Sequence, residues 1–310
     1  MSSVISVALP VFAIIAAGVL AGRLKFMTAE DSAALNKFVF RFAMPAALFG
    51  LTAGTAPPGR EDLAIISVYA AASLAVIFGS YFVARPLFKL SKQESGAHAV
   101  ASTLGNAVFL GLPVALSVDG WARPFVTLML IEGTIIVAIS SALIAPRKED
   151  GSALTRLSEF IMKPLKNPLV IGMAAGFVYS AIGLPFSGPA ETFFSLLGRA
   201  AGPTALFSLG LFLITNPMPP AGSVAGRVGA IAFAKMALLP AIALGLAGAL
   251  GLDDPEYWGG LALFVFTPSG VVSFVLASQS GVYKTETAAA VSLTTLLAIL
   301  TISGVLVAFG

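Results

Sequence analysis

The chain has 310 residues, of which 57% are hydrophobic and only 11% are charged, and its formal net charge is +3 at pH 7. Soluble domains carry about 25% charged residues, so this chain has too few charges to cover a water-exposed surface. The composition excludes a soluble protein, and with it a nucleic-acid-binding module, and indicates a protein embedded in the lipid bilayer. The chain has no Cys and one His, which excludes disulfides, thiol catalysis and Cys/His metal sites. We therefore expect no metal and no cofactor.

Ten apolar runs are long enough to cross a membrane, since a spanning helix needs about 20 mostly apolar residues. In chain order they are Val4–Leu20, Ala33–Leu51, Leu63–Val83, Ala97–Ser117, Pro124–Ile144, Pro168–Leu184, Thr192–Ile214, Val228–Leu250, Trp258–Ser280 and Thr287–Phe309. Turn-forming residues separate several of them, as in Asn216-Pro-Met-Pro-Pro220. The sequence therefore predicts an all-α integral membrane protein with ten transmembrane helices.

The Lys and Arg residues of the loops predict the orientation of the chain. Twelve of the 18 lie in loops that follow odd-numbered spans, whereas the opposite loops hold only Arg60 and Arg123. Cytoplasmic loops are rich in Lys and Arg. We therefore predict a multi-pass protein of the plasma (bacterial inner) membrane, with both termini outside the cytoplasm.

A nine-residue pattern, R-x-x-x-P-x-A-L-F, occurs in span 2 from Arg41 and again in span 7 from Arg199. Five spans separate the two copies, so the second copy enters the membrane from the opposite side. Such inverted repeats are typical of secondary transporters that work by alternating access. An intramembrane enzyme is not expected, because no Asp lies deep in a span and His98 is peripheral. The repeat predicts three parts: a first five-helix repeat (residues 1–145), a short cytoplasmic linker (146–158) and a second, inverted repeat (159–310).

Spans 4 and 9 each contain a helix-weakening residue followed by a capping residue. Gly105 precedes Asn106 in span 4, and Pro268 precedes Ser269 in span 9. Proline inside a helix costs about 3 kcal/mol, and Asn and Ser suit the N-cap of a helix that resumes. Two broken helices that cross in mid-membrane would direct two half-helix N-termini, each with about half a positive charge, at one point. Ordinary kinks are the alternative, but the matching positions in both halves favour a site for an anion such as a carboxylate.

The predicted substrate site follows from these breaks. Asn106 and Ser269 are expected to contact the carboxylate together with the neighbouring amides. The complete predicted set is Gly105, Asn106, Pro113, Thr267, Pro268 and Ser269. In it, Gly105, Pro113 and Pro268 shape the breaks.

At these residues the chain resembles the auxin efflux carrier family of bacteria and plants. The likeness rests on Gly105-Asn106…Gly111-Leu-Pro113, on Thr267-Pro268-Ser269-Gly270, on Gly281-Val282, on Asn167-Pro168 and on Pro45-Ala-Ala-Leu-Phe49. It covers nearly the whole chain. The resemblance implies ten helices with crossed helices 4 and 9, transport of organic anions such as auxin, malonate or malate, and a homodimer. It also implies that helices 3–5 and 8–10 move against a scaffold of helices 1, 2, 6 and 7.

The chain differs from the plant members at two places. Gly105 stands where those carriers have a proline, and residues 146–158 form only a short linker in place of a long regulatory loop. The bacterial, dicarboxylate-transporting branch is therefore the closer likeness.

Two ionisable residues lie deep in predicted spans, Glu132 in span 5 and Lys235 in span 8. An ionisable side chain at this depth costs about 2.5–3.5 kcal/mol, so each needs a partner or a function. We expect the two to pair and Glu132 to take up a proton during transport. A purely structural ion pair is an equal alternative. Sodium as the coupling ion also stays open. Alternatively, Lys235 supplies a fixed positive charge at the place where other carriers of this broad architecture hold a cation.

Arg41 and Arg199, which the repeat relates, also fall inside spans. One interpretation is a gate, or a funnel for incoming anions. The other, which we favour, is that they reach the membrane interface or pair with acids such as Glu191.

The sequence therefore predicts a secondary carrier for a small organic anion, such as a mono- or dicarboxylate. A sodium-coupled organic-anion symporter of the bile-acid type is the alternative, and an anion channel is a more distant one.

Overall fold

The computed structural model describes residues 2–54, 59–144, 166–183, 185–215, 222 and 224–310, with side chains from residue 9 onward. These residues form helices and connecting turns, and no strand occurs among them. The predicted linker, residues 146–158, lies outside the described residues.

Ten helices follow one another in the described part of the chain. They are α1 (Ser2–Arg23), α2 (Ala29–Ala53), α3 (Arg60–Leu87), α4 in two halves (Lys92–Ala101 and 107–115), α5 (Ala122–Ile144), α6 (Pro168–Ile182), α7 (Pro189–Thr215), α8 (Ala225–Ala249), α9 in two halves (Pro255–Val265 and Val271–Gln279) and α10 (Lys284–Phe309).

Six of these helices, α2, α3, α5, α7, α8 and α10, are long and apolar enough to cross a membrane by length and composition. Leu9–Arg23 and α6 are shorter apolar helices. The interrupted helices α4 and α9 consist of halves too short to qualify alone. The chain is therefore an all-helical, multi-pass membrane protein.

The starts of several helices follow from capping residues. The Thr28 hydroxyl accepts a hydrogen bond from the Asp31 amide at the start of α2, and the Ser91 hydroxyl does the same for Glu94 at the start of α4. Asn167 caps α6 in the same manner. A side-chain oxygen at this position satisfies one of the amide donors that a helix start leaves without a partner.

Four helices contain a widened π-turn, and three of these turns are explained by proline. The π-turns cover residues 39–43, 107–111, 132–136 and 234–238. Pro45, Pro113 and Pro240 each follow two residues after such a turn. A proline ring clashes with the carbonyl four residues earlier, and a widened turn relieves that clash. The described structure offers no such explanation for the turn at Glu132.

The helices pack in two groups. The first group consists of α1, α2, α6 and α7, in which α1 lies along α7 and α6 lies along α2. The second consists of α3, α4, α5, α8, α9 and α10. The two groups meet at several places, among them the contacts of α1 and α7 with the second half of α4, of α1 with α10 and of α6 with α5. This division places both broken helices in one group, at its boundary with the other.

Candidate functional site

The two broken helices cross at their breaks. Gly105 in α4 and Ser269 in α9 form an isolated antiparallel β-bridge. The Asn106 amide donates to the Pro268 carbonyl oxygen at 2.7 Å, and the Gly270 amide donates to the Leu104 carbonyl oxygen at 2.9 Å. The predicted interruptions of spans 4 and 9, and their meeting, are therefore confirmed. Unwound backbone at membrane depth is tolerated where protein covers it, and here each segment satisfies the other.

Two glycines allow the segments to come this close. A Cβ on Gly270 would overlap the carbonyl oxygen of Gly105, and a Cβ on Gly105 would overlap Oγ1 of Thr267. The Thr267 hydroxyl in turn donates to the Phe264 carbonyl oxygen at 2.6 Å. Thr267 therefore packs at the crossing while its hydroxyl closes the first half of α9.

Ser269 does not cap the second half of α9, so that prediction was wrong. The residue at the N-cap position is Gly270. The Ser269 hydroxyl instead donates to the Ala101 carbonyl oxygen at 2.8 Å, and the Ser269 amide donates to Oγ1 of Thr294 at 3.0 Å. The last carbonyls of a helix have no helical partner, and the break in α4 creates such a carbonyl at Ala101. Ser269 satisfies it.

Asn106 occupies the N-cap position of the second half of α4, as predicted, but its side chain makes no capping bond. The residue is 2% exposed, and its Nδ2 atom has no hydrogen-bond partner among the described residues. A buried amide without a partner costs about 1–3 kcal/mol. The first amides of the two resumed half-helices, which begin at Ala107 and Val271, also lack helical partners.

Glu132 and Lys235 both reach the crossing, but they do not contact each other. Glu132 accepts hydrogen bonds from the Tyr69 hydroxyl and from the Gly105 amide, the latter at 3.4 Å. Lys235 donates from Nζ to the Val265 carbonyl oxygen at 2.8 Å, and this Nζ lies 3.7 Å from the position a Cβ would take on Gly105. Among the residues that the structure describes, neither Glu132 nor Lys235 belongs to an ion pair within 4.0 Å. The expected direct pairing is therefore wrong, because each charge binds a different part of the crossing.

Pro268 and Pro113 have separate places. The Pro268 carbonyl belongs to the crossing itself, as the acceptor of the Asn106 amide. Pro113 lies further along the second half of α4 and faces α7, where its Cβ is 3.5 Å from the position a Cβ would take on Gly202. Pro113 therefore lies at the contact between the two helix groups.

Arg41 and Arg199 lie away from the crossing. Arg41 is exposed within the π-turn of α2, and Arg199 is exposed beside Ala200, where the α-helical turns of α7 are interrupted. No ion pair to either arginine occurs among the described residues, so the expected pairing with Glu191 is not formed. The repeated pattern thus coincides with an irregularity in each helix.

Three residues of the crossing were not identified from the sequence as site residues. The Tyr69 hydroxyl donates a hydrogen bond to Glu132, and the Thr294 hydroxyl accepts one from the Ser269 amide. Gly270 occupies the N-cap position of the second half of α9. Gly270 belongs to a motif that carries the family resemblance, whereas for Tyr69 and Thr294 the local signal is a hydroxyl side chain in the middle of an apolar span. Their partners lie far away in the sequence.

The chain is similar in sequence to known membrane transport proteins. The chain matches the family described as "Membrane transport protein" over residues 3–306. A relative named "Putative malonate transporter", from Rhizobium meliloti (strain 1021), is 28% identical over an alignment 319 residues long. The alignment covers 99% of this chain and 96% of that protein. "Uncharacterized transporter YfdV" of Escherichia coli (strain K12) is 26% identical over 290 residues, 90% of each chain.

An archaeal relative, "Uncharacterized transporter MJ1031" of Methanocaldococcus jannaschii, is 28% identical over 194 residues, 59% of this chain and 60% of that protein. The names of these relatives indicate transport. The family match extends across both broken helices and both helix groups. The chain therefore belongs to the membrane transport protein family, the auxin efflux carrier family that the motifs of α4 and α9 resemble.

Proposed function

We propose that this transporter is a secondary carrier that moves a small organic anion by alternating access, with the substrate bound beside the crossing of α4 and α9. The observation that supports this most directly is the buried Nδ2 atom of Asn106, which lies next to two half-helix N-termini and has no hydrogen-bond partner in the described part of the chain. Buried polar groups nearly always have partners, so an unpartnered one marks a place for a ligand acceptor. A carboxylate oxygen supplies such an acceptor.

The charges around the crossing favour a negatively charged ligand. Each half-helix N-terminus carries about half a positive charge, and discontinuous helices bind anionic substrate groups in this way in other secondary transporters. Lys235 adds a full charge within the same group of helices and is 1% exposed. A relative is named a malonate transporter. We therefore take malonate, a small dicarboxylate, as the first substrate to test.

We propose proton coupling through Glu132. Its carboxylate already accepts the Gly105 amide, so a proton on Glu132 would weaken that bond and remove a negative charge from the site as the anion binds. Coupling to sodium is the alternative mechanism.

In this carrier, α3–α5 and α8–α10 move against α1, α2, α6 and α7, and the chain spans the membrane ten times as two inverted five-helix repeats, residues 1–145 and 159–310. Both termini lie outside the cytoplasm, and the carrier forms a homodimer. Arg41 and Arg199 are proposed to reach the membrane interface, because each is exposed at an irregular turn of a helix in the stationary group; a gate on the routes to the site is the alternative.

The test is counterflow in proteoliposomes. Vesicles preloaded with unlabelled malonate are expected to accumulate radiolabelled malonate transiently, which a carrier does and a channel does not. The Asn106→Ala variant is expected to lose at least tenfold in malonate affinity, since it removes the unpartnered donor. Ser269→Ala is the matched control, because that hydroxyl is already bound to Ala101. Counterflow that Asn106→Ala leaves unchanged would contradict the site. Uptake that stops when sodium is replaced would favour the symporter alternative.

A further inference from the structure

Two polar clusters lie outside the crossing, both within the group of six helices. The Asp62 cluster consists of Asp62, Arg123, Thr127 and Tyr257. The Arg227 cluster consists of Arg227, Glu286, Tyr283 and His98. Each cluster contains one ion pair of 2.8 Å between the first turns of two different helices. Neither cluster touches the proposed substrate site, and the proposed mechanism uses neither.

In the Asp62 cluster a single buried carboxylate joins three helices. Asp62, in the first turn of α3, is 1% exposed. One of its oxygens accepts from Arg123 of α5 at 2.8 Å and from the Gly59 amide at 2.7 Å. The other accepts from Thr127 of α5 at 3.1 Å and from the Tyr257 hydroxyl of α9 at 3.0 Å. Four donors compensate the burial of this charge, and together they hold the starts of α3, α5 and α9 in one arrangement.

The Arg227 cluster connects the starts of α8 and α10 with each other and with the first half of α4 through two separate contacts. Arg227 of α8 donates to Glu286 of α10. Tyr283, the residue before α10, has a positive φ of 56° and places its hydroxyl 3.1 Å from Nδ1 of His98 in the first half of α4. Glu94, in the first turn of α4, also lies within electrostatic range of Arg227.

The two clusters lie at opposite ends of the helix group, and the acid and the base of the ion pair exchange helices between them. Asp62 lies in the first turn of α3, a helix of 28 residues, whereas the Arg227 cluster contacts the first half of α4, which follows the other end of α3. The acid is on the first helix of the triplet α3–α5, and the base is on the first helix of the triplet α8–α10. In both triplets the first and third helices are paired.

Each ion pair also holds the start of a helix, and further along that helix a buried ionisable residue lies at the crossing. Arg123 lies about nine residues before Glu132 on α5, and Arg227 lies about eight residues before Lys235 on α8. At about 1.5 Å per residue, the anchors are some 12–14 Å from the groups they would position. A helix transmits a shift at its start along its axis, so loss of an anchor would displace the buried charge.

We propose that Asp62 and Arg227 are positioning residues that fix Glu132 and Lys235 at the crossing. The proposal rests on the proposed function for its consequence in transport, but its structural content can be measured without substrate.

Hydrogen exchange of the purified, ligand-free protein tests the proposal. Asp62→Asn and Arg227→Gln are expected to raise amide exchange at least tenfold in the two break segments, residues 102–106 and 266–270, and to leave α1 and α7 unchanged. The charge-swapped double variant Arg227→Glu/Glu286→Arg should restore exchange to within twofold of the parent. Glu61→Gln and Lys284→Gln are matched controls, since both residues are exposed neighbours of the clusters.

A merely structural role would raise exchange throughout the helix group and would not single out segments so far from the substitution. Variants with parental exchange at both breaks would overturn the proposal. If Asp62→Asn does not fold, Tyr257→Phe is the substitute, because it removes only one of the donors to Asp62. This variant is expected to raise amide exchange at least threefold, and only in residues 266–270. Parental exchange in that segment would equally overturn the proposal.

Malonate binding is measured on the same variants, and an affinity loss of at least tenfold is expected for Asp62→Asn and Arg227→Gln. If the parent itself does not bind malonate, the proposed substrate fails while the exchange result still decides the role of the clusters.

Discussion

Ser269 donates its hydroxyl hydrogen to the carbonyl oxygen of Ala101, a residue 168 positions earlier in the chain, at 2.8 Å. The carbonyl is the last of the first half of α4, and the serine belongs to the break of α9. One broken helix therefore satisfies the end of the other. A residue that looks like a ligand contact in the sequence has a structural partner in the fold.

Ser269→Ala should destabilise the protein without abolishing binding. Removal of the hydroxyl leaves a buried carbonyl without its partner, which costs about 1–3 kcal/mol. We expect a lower thermal unfolding temperature in detergent and a malonate affinity within twofold of the parent. Ser67→Ala is the control, because the Ser67 hydroxyl is exposed and bonds only within its own helix. Loss of binding at an unchanged unfolding temperature would instead make Ser269 a ligand contact.

Gly270→Ala should disrupt the crossing, because the added Cβ would overlap the backbone oxygen of Gly105, which cannot rotate away. We expect a strongly reduced yield of folded protein and no counterflow. Gly229→Ala in α8 is the matched control, since a Cβ there meets nothing within 4 Å. Alanine is favoured over glycine in a helix by about 0.5–1 kcal/mol, so this control should be neutral or stabilising. Wild-type counterflow by Gly270→Ala would show that the segments can separate.

The sequence predicts features that depend on neighbouring residues, and it does not predict those that depend on helix packing. The breaks at Gly105-Asn106 and Pro268-Ser269 were predictable because glycine and proline act on their own turn. The partner of Ser269 was not, because Ala101 becomes a neighbour only when the helices cross.

The same distinction explains the other differences. Glu132 and Lys235 were recognised by their depth in apolar spans, but a hydropathy pattern does not give the direction in which each side chain points. Both lie in π-turns, which rotate the side chains relative to a regular α-helix. Pro113 was assigned to the break because it lies about eight residues after Gly105 in the sequence. In the structure those residues separate it from the break, and it packs against α7.

A disulfide between the helix groups should stop transport if the groups move. The Cβ of Pro113 lies 3.5 Å from the Cβ position on Gly202 of α7, a separation that suits a disulfide. We expect oxidised Pro113→Cys/Gly202→Cys protein to lose counterflow and to regain it on reduction. The control pair, Gly50→Cys/Phe194→Cys, joins α2 and α7 within one group at 3.7 Å and should transport in both states.

The parent contains no cysteine, so each disulfide is unambiguous. Equal transport by both locked variants would contradict movement between the groups.

Glu132→Gln should abolish the response of uptake to an imposed pH gradient. Glutamine has a similar shape but cannot gain or lose a proton, so malonate counterflow at equal pH should persist while gradient-driven accumulation disappears. Tyr69→Phe is the companion variant, because it removes a donor to Glu132 and keeps the carboxylate. It should retain a response to the gradient. A full gradient response in Glu132→Gln would exclude this residue as the proton carrier.

Cysteine labelling can test the predicted orientation. Phe26 follows α1 and Asp253 precedes α9, and both side chains are exposed. In intact cells a membrane-impermeant maleimide should label Asp253→Cys at once, and Phe26→Cys only after permeabilisation, because Lys- and Arg-rich loops face the cytoplasm. The reverse pattern would place both termini inside.

The bridge between Gly105 and Ser269 also has a consequence for how the protein is made. The opened backbone of α4 emerges from the ribosome long before α9 is synthesised, and lipid offers no hydrogen bonds to it. During that interval the segment must remain hydrated, or under the protection of the insertion machinery, until its partner arrives. A fragment that ends before α9 is therefore expected to be a substrate for membrane proteases rather than a stable half-transporter.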